Sequence, residues 1–376
     1  MTAPFYVKAI FAPRDIEAFI KFPFRLYRRE PHWVPPLIME RREFFHPRKN
    51  PVFEYAQVQL FTALRRGTVV GTIAAIQNER YCRYHPEDEQ VGFFGIFECE
   101  PDQAVANALF NAAADWLKQH GKRVMRGPVN LTTNDVVGLL VDGFEDDPTV
   151  MMPYNPPYYA EQLEAAGFTK AKDLFAFSLT TGEYHGRLER VAARLAQGGR
   201  FRIRPVDMKQ WKAELEFVRS CYNSAWARNW GFVPWTDREL AAIAKELKPL
   251  VDPRLAFMAE VDGGPAGFLI AVPDANQAIK LAQGRLFPFG LLRILWKLKV
   301  AKCSRLRTMA MGVLPQYRKR GLDALLVHHL IENAPRLGYH SSEMGWVLED
   351  NRPMLDALEQ IQAYRTKTYR VYDRVI

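Results

Sequence analysis

The sequence predicts an α/β or α+β chain of two domains, and three observations carry that expectation. A length of 376 residues exceeds what one hydrophobic core usually organises. Short apolar runs with strand character alternate with helical periods along both halves. The second half also revisits the landmarks of the first at similar spacing, the mark of a plan written twice. With 48% hydrophobic and 25% charged residues, and 24 Phe, 15 Tyr and 8 Trp for large cores, disorder and fibrous structure are excluded.

In the first half, strands are expected at 57–64, 69–76, 91–98 and 124–127, where β-branched and aromatic residues gather. In the second they are expected at 201–205, 256–260, 267–272, 306–314 and 343–348, with helices near 211–227 and 237–248. Three landmarks relate the halves. Trp33-Val34-Pro35 and Phe232-Val233-Pro234 each follow a helical stretch; helices run from Leu109 to Gly121 and from Leu326 to Gly338, glycine being usual just past a helix end; and Asn155-Pro156-Pro157 and Asn351-Arg352-Pro353 each open a helix. Between the halves, Thr180-Thr181-Gly182, a helical run with Leu188, Val191 and Leu195 on one face, and Gly198-Gly199 mark the boundary, which divides the chain into 1–185 and 186–376.

The charge divides with the halves. Residues 1–185 hold 20 Lys and Arg against 23 Asp and Glu, residues 186–376 hold 31 against 19, and 275–322 has eleven cations and no acid. An anionic partner near that stretch is expected: phosphate, lipid or nucleic acid, or else a solvated basic face that binds nothing. Cys82, Cys99, Cys221 and Cys303 show no paired spacing, so neither a disulfide framework nor a metal site is expected. The longest apolar run, 265–273, is about half a bilayer span, and the N-terminus lacks a signal peptide's apolar region, so a soluble, cytoplasmic protein is expected.

Chemistry concentrates in 309–326, a strand that turns directly into a helix through Arg318, Lys319, Arg320 and Gly321. A helix mouth aims unpaired N–H groups at one point, three cations add charge, and a residue without Cβ lets backbone approach a phosphate. A pyrophosphate fits such a turn. The segment resembles the acyl-CoA loop of the GNAT superfamily of acyl-CoA N-acyltransferases, R/Q-x-x-G-x-G/A, with Arg318-Lys319-Arg320-Gly321 on its first four positions and Asp323, a departure, on its second small one. Ala324 is small but one position late. Asn351 stands where the superfamily carries an asparagine at the next helix, and Asn155, Tyr158, Leu163-Glu164 and Gly167-Phe168 look like the same signature in the first half. The resemblance implies two GNAT-like domains, each a central mixed sheet flanked by helices. It also implies an acyl-CoA co-substrate, acetyl-CoA or another, held by Val313, Arg318, Lys319, Arg320, Gly321, Leu322, Asp323, Ala324 and Asn351. The corresponding turn of the first half, 97–104, has three acids, no glycine and no cation, which implies a degenerate partner domain.

The resemblance further implies direct attack of an amine on the thioester, with the carbonyl polarised by backbone N–H groups on the strand ending at Val313. Glu349, at a strand end, is the candidate base or amine anchor, or a solvated loop carboxylate. The family's usual thiolate-protonating tyrosine is missing near 357–359; Tyr364 is the candidate acid, or half-buried packing. The acceptor is expected to be a small-molecule or peptide amine. Rival readings are a non-catalytic acyl-CoA-binding module and, from the basic stretch, nucleic-acid binding; the aromatics there are interleaved with Leu and Ile, which suits burial or lipid contact better than base stacking, and no nucleic-acid partner is expected. Residues 286–302 mix apolar residues with basic charges only, as an interfacial helix does. Peripheral membrane contact through 286–302 by a long-chain acyltransferase, a cover over an acyl tunnel, and a helix docked on the first domain all remain open.

Overall fold

The computed structural model describes residues 3–181, 186–197 and 200–376. The expected boundary glycines, Gly182, Gly198 and Gly199, lie outside the described residues. Two compact units emerge, and both are discontinuous in sequence: residues through Leu174 join Ile279–Leu292 and Lys367–Ile376, while Phe175–Ala278 join Arg293–Thr366. The contiguous division at residue 185 thus differs from the units the packing draws, because the last strand and part of the insertion pack with the N-terminal residues.

In the first unit β1 (Phe5–Ile10) leads through α1 (Pro13–Leu26) and α2 (Ile38–Phe44) to β2 (Ala56–Arg65) and β3 (Thr68–Asn78). Then come α3 (Glu79–Tyr84), β4 (Val91–Cys99), α4 (Gln103–Gln119), β5 (Val124–Gly127), β6 (Leu139–Asp142), α5 (Tyr158–Ala165) and the start of β7 (Thr169–Thr180). Strands β1 to β4 are antiparallel in order, and β5 lies parallel to β4. The C-terminal strand closes this sheet from Tyr372↔Gly127 to Val375↔Val124. Helix α4 shows why these elements form: Asp102 accepts from the N–H groups of Ala104 and Val105, and Gly121 at φ +75° ends the turn beyond it. Its Val105, Leu109, Ala113 and Leu117 share one face at four-residue spacing and are fully buried. Each large side chain of that stripe contributes roughly 1.5–3 kcal/mol.

The second unit repeats the order. After α6 (Gly186–Gln197) come β8 (Phe201–Pro205), α7 (Trp211–Trp226), α8 (Asp237–Leu247), β9 (Ala256–Val261) and β10 (Gly264–Pro273). An insertion with α9 (Asn276–Ile279) and α10 (Gly290–Trp296), of which Ile279–Leu292 belong to the first unit, precedes β11 (Arg305–Val313), α11 (Leu322–Arg336), β12 (Ser341–Leu348), α12 (Arg352–Gln360) and the start of β13 (Tyr364–Val375), whose residues from Lys367 on belong to the first unit. Strands β8 to β11 are antiparallel neighbours and β12 is parallel to β11. Both units therefore hold a mixed sheet with helices on it, and the duplicated plan is present in the fold. The aromatic landmarks both pack against a tyrosine in or just after a helix, though not alike: Trp33 stacks on Tyr27 with ring centroids 4.8 Å apart, and Phe232 lies tilted against Tyr222 at 5.5 Å.

One landmark is corrected. Asn351 caps α12, accepting from the N–H of Met354, but Asn155 caps nothing: its side chain accepts from the N–H of Leu140 and donates to that residue's carbonyl, and α5 begins only at Tyr158. Buried at 5% exposure, Asn155 ties the segment after β6 to that strand.

Candidate active site

The site grows from a fork in the second unit's sheet. Although β11 runs on to Val313, its pairing with β12 covers only Arg305↔Ser341 to Thr308↔Met344. At the fork the Arg307 guanidinium, 3% exposed, donates to the carbonyls of Glu343 and Gly345 and holds the two strands at their parting. Beyond it a cavity of about 210 Å³ opens. The Thr308 and Ser342 hydroxyls, 2.8 Å apart, form a polar patch in its lining. Its walls carry Met309, Met311, Met344 and Met354 with Trp226 and Trp346. Thioethers on unbranched chains adapt to irregular apolar shapes, so the lining suits a flexible aliphatic group. Consecutive residues from Met344 to Val347 all line the cavity, which a strict strand alternation does not give.

The cationic loop sits beside this cavity. From β11 a 3-10 turn, Pro315–Tyr317, leads to Arg318, Lys319 and Arg320, and Gly321 at φ +84° turns the chain into α11. That conformation costs glycine little and any residue with a Cβ more. Among the described residues no side chain caps α11, and the first N–H groups of an uncapped helix are the kind that can meet an anion. Lys319 and Arg320 are exposed. Arg318 bonds inward, donating from Nε to the Val313 carbonyl at 3.3 Å and from its terminal nitrogen to the Ala225 carbonyl at 3.0 Å, and so ties the loop to the ends of β11 and α7.

The structure brings Asp323, Ala324 and Asn351 together in the cavity lining, with Val313 at the end of β11 and Leu322 buried beneath the loop. Glu349, half-buried in the turn after β12, and Tyr364, 56% exposed at the start of β13, do not line it. Sequence reasoning missed the methionines and the hydroxyl pair. The alternation Met309-Ala310-Met311 was a usable signal, but Met344 and Met354 join it only through the fork. Burial pushes the thiols of Cys221 up to about 12 and of Cys303 up to about 11, which leaves neither a nucleophile.

The first unit has the same fork, filled. Strands β4 and β5 part after Phe93↔Arg126, and Val129 N–H donates to the Phe94 carbonyl at 2.8 Å while Asn130 Oδ1 accepts from Ile96 N–H at 2.9 Å. Gly95 is there because a Cβ would run into the Val129 carbonyl. The helix mouth is also taken: the Asp102 carboxylate caps α4, and Arg65 pairs with Asp102 and Glu100. At the end of β4 the Glu98 carboxylate accepts from the hydroxyls of Tyr27 at 2.6 Å and Tyr159 at 2.8 Å. Burial raises its pKa to about 7, against the lowering by the two hydroxyls. A carboxyl whose folded pKa lies above its unfolded value favours folding while protonated, so its contribution is lost as pH rises from about 4.5 to about 7. Glu98→Gln is expected to remove that slope, worth at most about 3 kcal/mol. Urea denaturation at pH 5 and pH 8 checks it, and parallel pH profiles for variant and wild type would count against the assignment.

Residues 215–364, which hold the open fork and the cationic loop, match the acetyltransferase (GNAT) family. The chain is 38% identical over 369 residues to a protein of Caulobacter vibrioides named bacterial ceramide synthase, covering 97% of this chain and 96% of that one. The chain belongs to the GNAT family. It is also 35% identical over 380 residues to protein YghO of Escherichia coli, covering 98% of this chain and 95% of the other. In fold it resembles a tandem GNAT protein from the clavulanic acid biosynthesis pathway, with a TM-score of 0.57 at 14% identity, spanning 99% of this chain and 98% of that one. A GNAT protein from Sphaerobacter thermophilus superposes with a TM-score of 0.52 at 12% identity over 100% and 97% of the two chains. GNAT membership gives the forked strands their meaning: this is an acyltransferase fold in tandem form, one of whose forks is open.

Proposed function

We propose that the protein is an acyl-CoA-dependent N-acyltransferase whose acceptor is an amine on a lipid-like chain, of the kind a ceramide synthase acylates. The observation that supports this most is the methionine-lined cavity between β11 and β12, directly beside the cationic loop. Lys319, Arg320 and the open N-terminus of α11 hold the CoA phosphates, and the cavity takes the apolar acyl or acceptor chain. The neutral amine attacks the thioester carbonyl, whose developing oxyanion meets backbone N–H groups on the stretch of β11 beyond Thr308. The C–S bond breaks, CoA leaves as a thiolate and the nitrogen loses one proton. Because neither lines the cavity, Glu349 is the candidate to receive that proton through water and Tyr364 the candidate to supply one to the thiolate. The first unit, its fork filled and its helix mouth capped, is the degenerate partner.

Incubation with a sphingoid base and acyl-CoAs of increasing length, with amide products read by mass spectrometry, tests the reading. Amide formation on the sphingoid base supports it, and the acyl-CoA that reacts best gives the donor length; acylation of short water-soluble amines with none of the sphingoid base sinks the lipid assignment, and CoA binding without any product makes the chain a binding module. For the loop, Lys319→Glu with Arg320→Glu is expected to weaken CoA at least about tenfold by calorimetry, since each charge-assisted phosphate contact is worth about 1.5–3 kcal/mol. Unchanged affinity would move the phosphates elsewhere. Glu349→Gln and Tyr364→Phe are each expected to lower kcat by about 10²–10⁴ with CoA affinity retained; wild-type rates would remove them from the chemistry.

A further inference from the structure

The insertion between β10 and β11 has a firmly held root. Gln277 and Ser304 bond to each other across its two ends, at 3.0 Å from Ser304 N–H to the Gln277 side-chain oxygen. Lys280 donates to the Pro31 carbonyl, and Gly284, whose carbonyl accepts from Ile38 N–H, lies against the Phe24 ring. Beyond Gly284 the insertion turns its apolar side chains outward. Phe287 is 76% exposed, Phe289 61%, Leu292 62%, Trp296 54% and Val300 69%. Ile294 is the apolar residue of α10 that is buried. Helix docking with only cations in solvent is therefore not what the structure shows: large apolar side chains face solvent with them.

The geometry points to residues 285–302 as a surface that seats the protein on an anionic lipid membrane. Exposed aromatic and aliphatic side chains of this size enter the boundary between headgroups and acyl chains, while Arg285, Lys299 and Lys302, all exposed, meet the headgroup charge. The absence of any acid from 275–322 selects this occupant. A second copy of the same face would set like charges against each other, whereas an anionic bilayer complements both the apolar and the basic components. No described helix is long and apolar enough to cross a membrane, so contact is from one side. This inference goes beyond the proposed reaction and stands on the exposed segment.

Cosedimentation of the full chain with phosphatidylcholine vesicles, with and without phosphatidylglycerol, at low and high salt, decides it. The wild type is expected to pellet with the anionic vesicles at low salt and to be released by high salt. Phe287→Ser/Phe289→Ser/Trp296→Ser is expected to lower the partition coefficient at least about tenfold, and Arg285→Glu/Lys299→Glu to abolish the preference for phosphatidylglycerol. Circular dichroism confirms that both variants fold. A wild type that stays in the supernatant, variants that bind as it does, or a serine variant that changes only a monomer–dimer equilibrium would each overturn the membrane assignment. The assay contains no acyl donor, so its failure leaves the acyl-transfer reading untouched, and a failed transfer assay leaves vesicle binding to be judged alone.

Discussion

Ala357→Trp is expected to lower kcat/KM for long-chain acyl-CoA by about a hundredfold or more while CoA itself binds as before. Ala357 projects from α12 into the cavity beside Met354 and Leu358. An indole there fills much of the roughly 210 Å³ between the strands. The loop proposed to take the phosphates, Lys319 to Gly321, is not among the lining residues and is not displaced. A chain that needs the cavity is excluded and a short acyl group is not, so chain-length preference moves toward acetyl. Overpacking costs about 1–3 kcal/mol of stability, so melting is measured alongside. Met354→Ala, which enlarges the cavity, is expected to shift preference the other way. An unchanged chain-length profile in both variants would separate the cavity from the reaction.

Tyr372→Ala is expected to destabilise the first unit by about 3–5 kcal/mol, the cost of emptying a buried aromatic site. Tyr372 is 1% exposed within the core that holds Leu109, Phe110 and Phe168, pairs opposite Gly127, and donates from its hydroxyl to Glu164 at 3.1 Å. Its neighbour Asp373 takes a bidentate contact from Arg126 at 2.8 and 2.9 Å, and Arg370 bonds Asp173 at 2.7 Å. The C-terminal strand is thus part of the N-terminal core. Hydrogen exchange is expected to show the loss in β4, α4 and β5, and a chain ending at Thr366 is expected not to accumulate in folded form. Protection in α4 equal to wild type would mean that the strand is dispensable there.

Much of the fold is legible in the sequence. The strands 124–127 and 201–205 appear with the expected bounds, and the loop from Arg318 to Gly321 stands at the mouth of a helix as expected. Local reasons suffice for these: alternation, a left-handed glycine, cations in one turn. The cavity is not legible there, because Met309 and Met344 are distant in sequence and meet only where two parallel strands part. Nor can Arg318 be read as a clamp, since its acceptors lie on Val313 and Ala225, and the second of these belongs to another helix.

By itself, the sequence determined the family, the doubled plan and the place of the cationic loop, because each rests on residues close together or on a pattern repeated along the chain. Only the tertiary structure decided which fork is open and where the last strand belongs. Both forks end their ladders in the same way; what differs is that Val129 and Asn130 return to fill one, and no local pattern encodes such a return. The C-terminal strand was expected in the second domain from its position in the chain, yet Tyr369, Val371 and Tyr372 are buried with residues 1–174, because strand pairing rewards complementary edges and apolar faces however far apart the chain places them.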